Sequence, residues 1–160
     1  MSTSERDKLV EAIGLGIQRW QDATETFDQA VGQIHALTSA DRRCLSFVSQ
    51  GPQTASAIAK ETALTPAAVT ALIDRLEKRR LVQRRADVSD RRKVLVEATN
   101  KTHELVRGTY MPIAQAGAKM LAAYSIAELS TIRRFVEDAL ALQQRMTASL
   151  FERERKRLRD

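Results

Sequence analysis

Hydrophobic residues recur every three or four positions along most of the chain, which is the spacing of amphipathic helices. The clearest case follows Thr65 and Pro66. Thr65 suits an N-cap because its hydroxyl accepts a hydrogen bond from an otherwise unpaired amide, and Pro66 suits the first helical position. The apolar residues that would then share one face are Val69, Leu72, Ile73 and Leu76.

The residues on either side of this helix predict a winged helix-turn-helix. A short helix over residues 54–62 is joined to it by residues 63–65, a connection typical of a helix-turn-helix. Two strands are predicted after it, over residues 81–86 and 93–98. The segment between the strands is polar and ends in two arginines, so the strands would form a β-hairpin with a basic tip, the wing.

Two helices are predicted before this region, over residues 5–36 and 39–49. Thr38 and Asp41 form a capping-box pattern that opens the second of them. The first has a narrow apolar stripe close to a 3.5-residue repeat, which suits packing against another long helix. Its members are Val10, Ile13, Ile17, Trp20, Thr24, Phe27, Val31 and Ile34.

Two further helices are predicted after the wing. One covers residues 100–123 and contains Pro112, where we expect a kink or a break. The other begins after Ser125, and residues 152–160 are expected to fray. Its inward positions are predicted to be Leu129, Ile132, Val136, Ala139, Met146 and Leu150.

The long apolar stripes are too extensive for a small lobe to cover. A two-fold dimer in which the N- and C-terminal helices of two chains interleave would bury them. The predicted fold class is therefore mainly α with a small β-hairpin wing. A winged helix-turn-helix lobe at residues 38–99 would bind DNA, and a helical region at residues 1–37 and 100–160 would form the dimer.

The net charge of +6 is concentrated in one place. Residues 75–93 carry nine cations and three anions, so this segment alone accounts for the whole net charge. A localised basic field is expected of a surface that binds phosphates, and an ordinary solvated surface is the alternative.

Several short motifs resemble the DNA-binding lobe of the MarR family of bacterial transcription regulators, over about residues 38–105. The matching motifs are Leu64-Thr65-Pro66, Asp74-Arg75-Leu76-Glu77-Lys78, Leu81-Val82 and Asp87-Val88-Ser89-Asp90-Arg91-Arg92. The resemblance implies an interleaved homodimer. Its operator would be a near-palindrome of double-stranded DNA with half-sites about 10 base pairs apart.

The outer face of the central helix supplies the predicted base contacts, because alanine and threonine methyl groups contact thymine methyls and threonine hydroxyls bond to bases or phosphates. Phosphate contacts set the register without reading sequence. The predicted base-edge residues are Thr65, Pro66, Ala67, Ala68 and Thr70. The predicted phosphate contacts are Thr54, Ser56, Arg75 and Lys78.

Arg92 is predicted to read the minor groove at the wing tip, where a narrow groove attracts a guanidinium. The resemblance implies that Asp90 orients it. Arg91 would contact phosphate or pair with Asp74.

An effector site is a further hypothesis, because the resemblance implies that small aromatic acids bind in a cleft of the dimer. The candidate residues are Trp20, Phe27, Phe47, Tyr110 and Met111, with Arg19, Arg42 or Arg43 as partners for an anionic group. Ordinary core and dimer packing is the alternative for the aromatic residues.

Cys44 is expected to fill the core, with a thiol switch as the alternative. His35 and His103 are expected to be ordinary histidines rather than metal ligands, and no metal or cofactor is predicted. No signal sequence or membrane-spanning run is visible, so we expect a cytoplasmic protein without a membrane partner.

These residues predict a homodimeric, sequence-specific DNA-binding regulator, a repressor that a small molecule releases from DNA. The alternatives are an architectural or constitutive DNA-binding protein without an effector, and a helical dimer whose winged lobe contacts proteins. An enzyme is not expected, because the sequence contains no phosphate-binding glycine loop or nucleophile motif.

Overall fold

A computed structural model describes residues 4–88, 90 and 93–158 of the chain. By contacts the chain divides into two compact units, residues 1–111 and 112–160. The helices are α1 Glu5–His35, α2 Ser39–Ser49, α3 Ala55–Thr62, α4 Pro66–Lys78, α5 Asn100–Leu121 and α6 Ile126–Arg157, and the strands are β1 Gln53–Thr54, β2 Val82–Ala86 and β3 Val94–Ala98. The mainly helical fold with a β-hairpin agrees with the sequence prediction.

Helix α4 forms as its sequence predicts. The Thr65 hydroxyl accepts a hydrogen bond from the amide of Ala68 at 3.3 Å, and Pro66 occupies the first turn. Its four predicted inward residues are at most 2% exposed, and they pack with Ile58 of α3, Cys44 and Leu45 of α2, and Val96 of β3. This core holds α4 from one side and leaves its opposite face free.

The sheet has the strand order β1-β3-β2, and both pairs are antiparallel. Strands β2 and β3 pair from Val82 with Ala98 to Ala86 with Val94, as the predicted hairpin requires. Strand β1, whose two residues pair with Val96 and Leu95, was not predicted. Two residues are too few to show a periodic pattern in the sequence, so this strand is recognised only by its pairing with β3.

The break expected at Pro112 is wrong, whereas a kink there stays a prediction. Helix α5 continues through Pro112 without a break, because a proline removes one backbone donor while the hydrogen bonds of the neighbouring turns remain. The fraying expected over residues 152–160 is wrong as far as Arg157, where α6 ends, and residues 159 and 160 lie outside the described residues. Three basic residues in its last turn favour this extension, since cations stabilise a helix C-terminus.

Helix α6 contains no buried residue. A capping box at Ser125 and Glu128 begins the helix. Of its predicted inward residues, Val136, Met146 and Leu150 are 45%, 51% and 62% exposed in the single chain. Leu129, Ile132 and Ala139 are half-buried, so the described part of this chain covers the face that the periodic pattern assigns to an interior only in part.

Helix α1 has the same character over most of its length. Val31 and Gly32 are its buried residues, whereas Val10, Ile13 and Trp20 are more than half exposed. Its C-terminal end joins α2 through a second capping box, in which Thr38 and Asp41 exchange hydrogen bonds. Only the last turns of α1 are thus covered by the lobe around α4.

Candidate nucleic-acid interface

The outer face of α4 presents small side chains before it presents cations. Thr65, Pro66, Ala67 and Thr70 are exposed, and Ala68 is half-buried. The Thr70 hydroxyl donates to the carbonyl of Pro66 at 3.1 Å. It therefore keeps its lone pairs for an external donor, whereas the capping hydroxyl of Thr65 keeps its proton for an external acceptor.

The start of α3 places two further hydroxyls at the surface. Thr54 caps the helix by accepting from the amide of Ala57 at 3.2 Å, and its hydroxyl lies 3.0 Å from that of Ser56. Ser56 is exposed and Thr54 is half-buried. Unpaired amides at a helix N-terminus and adjacent hydroxyls are groups that bind phosphate oxygens well.

Arg75 and Lys78 differ, although both were predicted to contact phosphates. The Arg75 guanidinium donates to Asp41 at 2.6 Å, and the Asp41 side chain is only 2% exposed. Lys78 is exposed, and it has no hydrogen bond or ion pair within the described part of the chain. Lys78 is thus available to an external anion, whereas Arg75 already holds an internal one.

The ionised state of Asp41 explains its ion pair with Arg75. Burial raises the pKa of this carboxyl, but hydrogen bonds from Thr38 and Arg75, with the positive charge of Arg75, outweigh burial and bring the pKa below its ordinary value. The same carboxylate completes the capping box of α2. Asp41 therefore connects the start of α2 to the middle of α4.

The arginines of strand β2 are also paired internally. Arg84 contacts Asp74 and Glu77 of α4, with 2.5 Å to Asp74, and Arg85 donates to Glu97 at 2.5 Å. Hydrogen bonds from Gln83 and Arg85 lower the pKa of Glu97. Arg75, Arg84 and Arg85 are therefore partly neutralised, by Glu77, which the charge count of residues 75–93 includes, and by three carboxylates outside that segment, those of Asp41, Asp74 and Glu97.

The predicted wing-tip residues Arg91 and Arg92 lie outside the described residues. Nearby in the hairpin, the backbone amide of Asp87 donates to the carbonyl of Lys93 at 2.9 Å. The backbone amide of Lys93 donates to the backbone carbonyl of Asp90 at 2.8 Å. The ammonium of Lys93 lies 3.7 Å from the carboxylate of Asp90. Asp74, the predicted alternative partner of Arg91, accepts from Arg84.

Comparison with known proteins identifies the family. The MarR family model matches residues 33–94. An uncharacterized HTH-type transcriptional regulator of Bacillus subtilis (strain 168), YcgE, is 31% identical over 122 residues, which cover 76% of this chain and 79% of the relative. The chain belongs to the MarR family. It is a DNA-binding transcription regulator and not an enzyme.

Solved structures of MarR-type regulators show the same fold. YusO from Bacillus subtilis has a TM-score of 0.61 at 21% identity, covering 87% of this chain and 99% of that protein. A MepR variant from S. aureus bound to an oligodeoxyribonucleotide has a TM-score of 0.55 at 20% identity, covering 81% and 96%. At these identities the similarity concerns the fold alone.

Part of the predicted effector set of this MarR-family chain lines one cleft. Phe47 and Tyr110 border an open cleft of about 880 Å³, together with Arg42 and Arg43. Phe27 packs edge-on against Tyr110, with ring centroids 5.9 Å apart, and so supports the wall of the cleft that Tyr110 forms. The two acidic residues of the cleft, Asp28 and Glu61, were not among the predicted residues.

The other two predicted effector residues lie elsewhere. Trp20 is 66% exposed and borders a neighbouring depression, which shares Asp28 and Arg42 with the larger cleft. Met111 is 47% exposed and does not line the larger cleft. The helical stripe placed Trp20 on the same face as Phe27, but the cleft lies beside the C-terminal half of α1, whereas Trp20 is nearer its middle.

The environment of Tyr110 in the cleft favours its neutral form. Burial raises the pKa of Tyr110, and the carboxylate of Asp28, which accepts from its hydroxyl at 3.4 Å, raises it further. Arg42 acts in the opposite direction. The phenol is therefore neutral at neutral pH, and the guanidinium groups of Arg42 and Arg43 are positive groups that an anion in the cleft could meet.

The remaining candidates take structural places. Cys44 is fully buried, and burial together with the charge of Asp41 raises the pKa of its thiol to about 12. Such a thiol is a poor nucleophile at neutral pH. The ring of His35 lies 3.3 Å from the Thr109 hydroxyl, and the described residues include no cluster of three or more side chains suited to a metal ion. None of the described helices has the length and apolar character to cross a membrane.

Proposed function

We propose that this MarR-family regulator is a homodimeric repressor that binds a near-palindromic operator and is released by a small effector. The observation that carries the proposal is the outer face of α4, which the core holds rigidly from behind and which presents exposed small residues followed by Lys78. A face of that kind fits a major groove, because small side chains allow close approach to base edges.

In this proposal residues 38–99 are the DNA-binding lobe, and residues 1–37 and 100–160 form the dimer. The exposed apolar residues of α1 and α6 support the division. Contiguous exposed apolar surfaces of this extent mark interaction sites in soluble proteins. A second copy of the chain would bury them, and its two-fold symmetry would set two α4 helices about one helical turn of DNA apart.

The proposed DNA contacts fall into two classes. Thr65, Pro66, Ala67, Ala68 and Thr70 contact base edges, and Thr54, Ser56 and Lys78 contact phosphates. At the wing, Arg92 enters the minor groove, Asp90 orients it, and Arg91 contacts phosphate. The ion pair with Asp41 modifies the proposal for Arg75. One terminal nitrogen of its guanidinium is bound to Asp41, so Arg75 contacts phosphate through the exposed part of the side chain while this ion pair is kept.

The experiment compares Arg92→Ala with Lys78→Ala on a series of operators. Base pairs under the wing are changed from A·T to G·C, while those under α4 stay fixed. Wild type and Lys78→Ala should favour the A·T-rich operators, since a narrow groove concentrates negative potential. Arg92→Ala should discriminate much less and lose about 1–3 kcal/mol per site. Equal discrimination by all three proteins would remove Arg92 from the reading role.

The cleft between Phe47 and Tyr110 is the proposed effector site. Its aromatic side chains and the guanidinium groups of Arg42 and Arg43 suit a small aromatic anion. A ligand there would shift the dimer toward a spacing of the two α4 helices that does not match DNA. Benzoate titrated into the protein–operator complex is the test, with Arg42→Gln as the variant. Operator binding that no aromatic acid weakens would instead indicate a constitutive DNA-binding protein.

A further inference from the structure

Arg79 follows the last residue of α4 and is bonded to another helix. Its two terminal nitrogens donate to the carbonyls of His35 and Ala36, each at 2.7 Å. These carbonyls end α1, where Ala36 has a left-handed backbone with φ 49°. The last carbonyls of a helix have no hydrogen-bond donor within the helix. A cation that donates to them satisfies these carbonyls and complements the helix dipole.

The backbone around Arg79 is bonded to a third helix. The ammonium of Lys101, in the first turn of α5, donates to the Arg79 carbonyl at 3.1 Å. The Thr99 hydroxyl donates to the carbonyl of Arg80 at 2.7 Å, and the buried Thr102 hydroxyl donates to that of Leu81 at 2.5 Å. The end of α4 is thus attached to the end of α1 and to the start of α5.

We infer that Arg79 is a positioning residue for operator recognition, which fixes the direction of α4 relative to α1. A guanidinium that donates from two nitrogens to successive carbonyls constrains orientation as well as distance. The inference rests on the proposed dimer. If α1 belongs to the dimer region, the angle between α1 and α4 sets the separation of the two reading helices.

This role differs from that of the other cations near the end of α4. Arg79 is half-buried and its terminal nitrogens face carbonyl oxygens, whereas the neighbouring Lys78 is exposed. A phosphate contact adds affinity through counterion release, and its loss lowers the salt dependence of binding. The loss of a positioning residue instead lowers affinity at every salt concentration and flattens the preference among half-site spacings.

The test compares full-length Arg79→Met with Lys78→Met, which removes one charge from the adjacent exposed position. Binding is measured over a salt series on the operator and on versions with one base pair added or removed between the half-sites. We expect Arg79→Met to weaken binding to the natural spacing roughly tenfold, the equivalent of one hydrogen bond to a charged group. Its preference among spacings should flatten, and its salt slope should stay unchanged. Lys78→Met should lower the slope by roughly one and keep the wild-type spacing preference.

Melting and sedimentation show whether each variant is a folded dimer, and Arg79→Lys, which keeps one donor group, should recover part of the spacing preference. A lower salt slope with the wild-type spacing preference would make Arg79 a phosphate contact. A lower melting temperature with that preference intact would make its role purely structural. Either result overturns the inference. If wild type itself shows no preference for two half-sites, the proposed dimeric operator fails and the inference fails with it.

Discussion

Helices α4 and α6 have similar periodic patterns of apolar residues but opposite environments. In α4 the four inward apolar residues are at most 2% exposed, because α2, α3 and the sheet cover them. In α6 no residue is buried, and Leu140 and Leu150 remain 59% and 62% exposed. Periodicity therefore predicts that a face will be covered, but it does not say whether the same chain or another one covers it.

We infer from this difference that the lobe around α4 and helix α6 have different roles. The lobe around α4 folds on its own core and holds a surface for DNA in a fixed shape. Helix α6 keeps an apolar surface that is costly to leave in water, at about 25 cal/mol per Å² of apolar area. We therefore expect mutations in α4 to change folding stability and mutations in α6 to change association.

The largest effect is expected from a charge on the exposed stripe of α6. Met146→Glu should weaken dimerisation by about 3–5 kcal/mol, because an unpaired carboxylate would be buried between two chains. Sedimentation equilibrium measures the change. Gln144→Glu adds the same charge at another exposed position of α6 and should leave the dimer intact. Two variants with the same association constant would show that this stripe is not the interface.

The corresponding change in α4 should act on folding. Leu72→Ala removes a side chain that is 1% exposed in the lobe core. It should lower the free energy of unfolding by about 2–5 kcal/mol, through lost burial and the cavity left behind. Denaturant unfolding measures this, with Thr70→Ala on the exposed face of the same helix as the control. A loss as small as that of the control would mean that the core does not hold α4.

A smaller effect is expected at Asp41, which connects α2 to α4. Asp41→Asn should cost about 1–3 kcal/mol of unfolding free energy, because it weakens the capping box and leaves Arg75 without its charged partner. Since folding lowers the pKa of Asp41, its stabilising contribution is present above the ordinary carboxyl pKa. That contribution is lost as the pH falls through the lowered value.

Unfolding as a function of pH therefore checks the Asp41 prediction. The stability difference between wild type and Asp41→Asn should be greatest near neutral pH and should shrink in acid. Arg75→Gln, which removes the other half of the pair, should show part of the same trend. A difference that stays constant down to the acid range would exclude a contribution from ionised Asp41.

The smallest effect is expected at the end of α1. A Cβ added at Gly32 would lie 2.5 Å from a terminal nitrogen of Arg42 and 2.8 Å from the carbonyl oxygen of Leu37. Gly32→Ala should therefore destabilise the lobe by about 1–2 kcal/mol. Gly108→Ala in α5 meets no atom within 4 Å and should stabilise by about 0.5–1 kcal/mol through helix propensity. Thermal melting compares them, and equal shifts would contradict the close packing at Gly32.

The elements that sequence predicts well are those with local signals. Thr38 and Thr65 cap their helices through residues three positions away, so α2 and α4 begin where expected. The pairing of Arg75 with Asp41 joins residues 34 positions apart, and that of Arg79 with Ala36 joins residues 43 apart. No local pattern specifies such contacts, so the sequence assigned these arginines to a basic surface only.

The candidate site was predicted to a similar extent. The exposed outer face of α4 follows directly from its buried face, because the two are complementary on one helix. The position of the cleft depends on which turns of α1, α2 and α5 lie together, which no local pattern gives. Of the five predicted effector residues only Phe47 and Tyr110 line it, beside the predicted anion partners Arg42 and Arg43. The roles of Arg91 and Arg92 remain predictions.

The proposed dimeric operator is tested most directly by selecting genomic DNA fragments with the purified full-length protein and sequencing them. We predict enrichment of one near-palindromic sequence with half-sites about 10 base pairs apart. Two chains should be bound per site, and affinity should fall roughly 10³-fold or more between 50 and 200 mM salt. Fragments that share no sequence, a single unpaired half-site or a flat salt response would contradict the proposal.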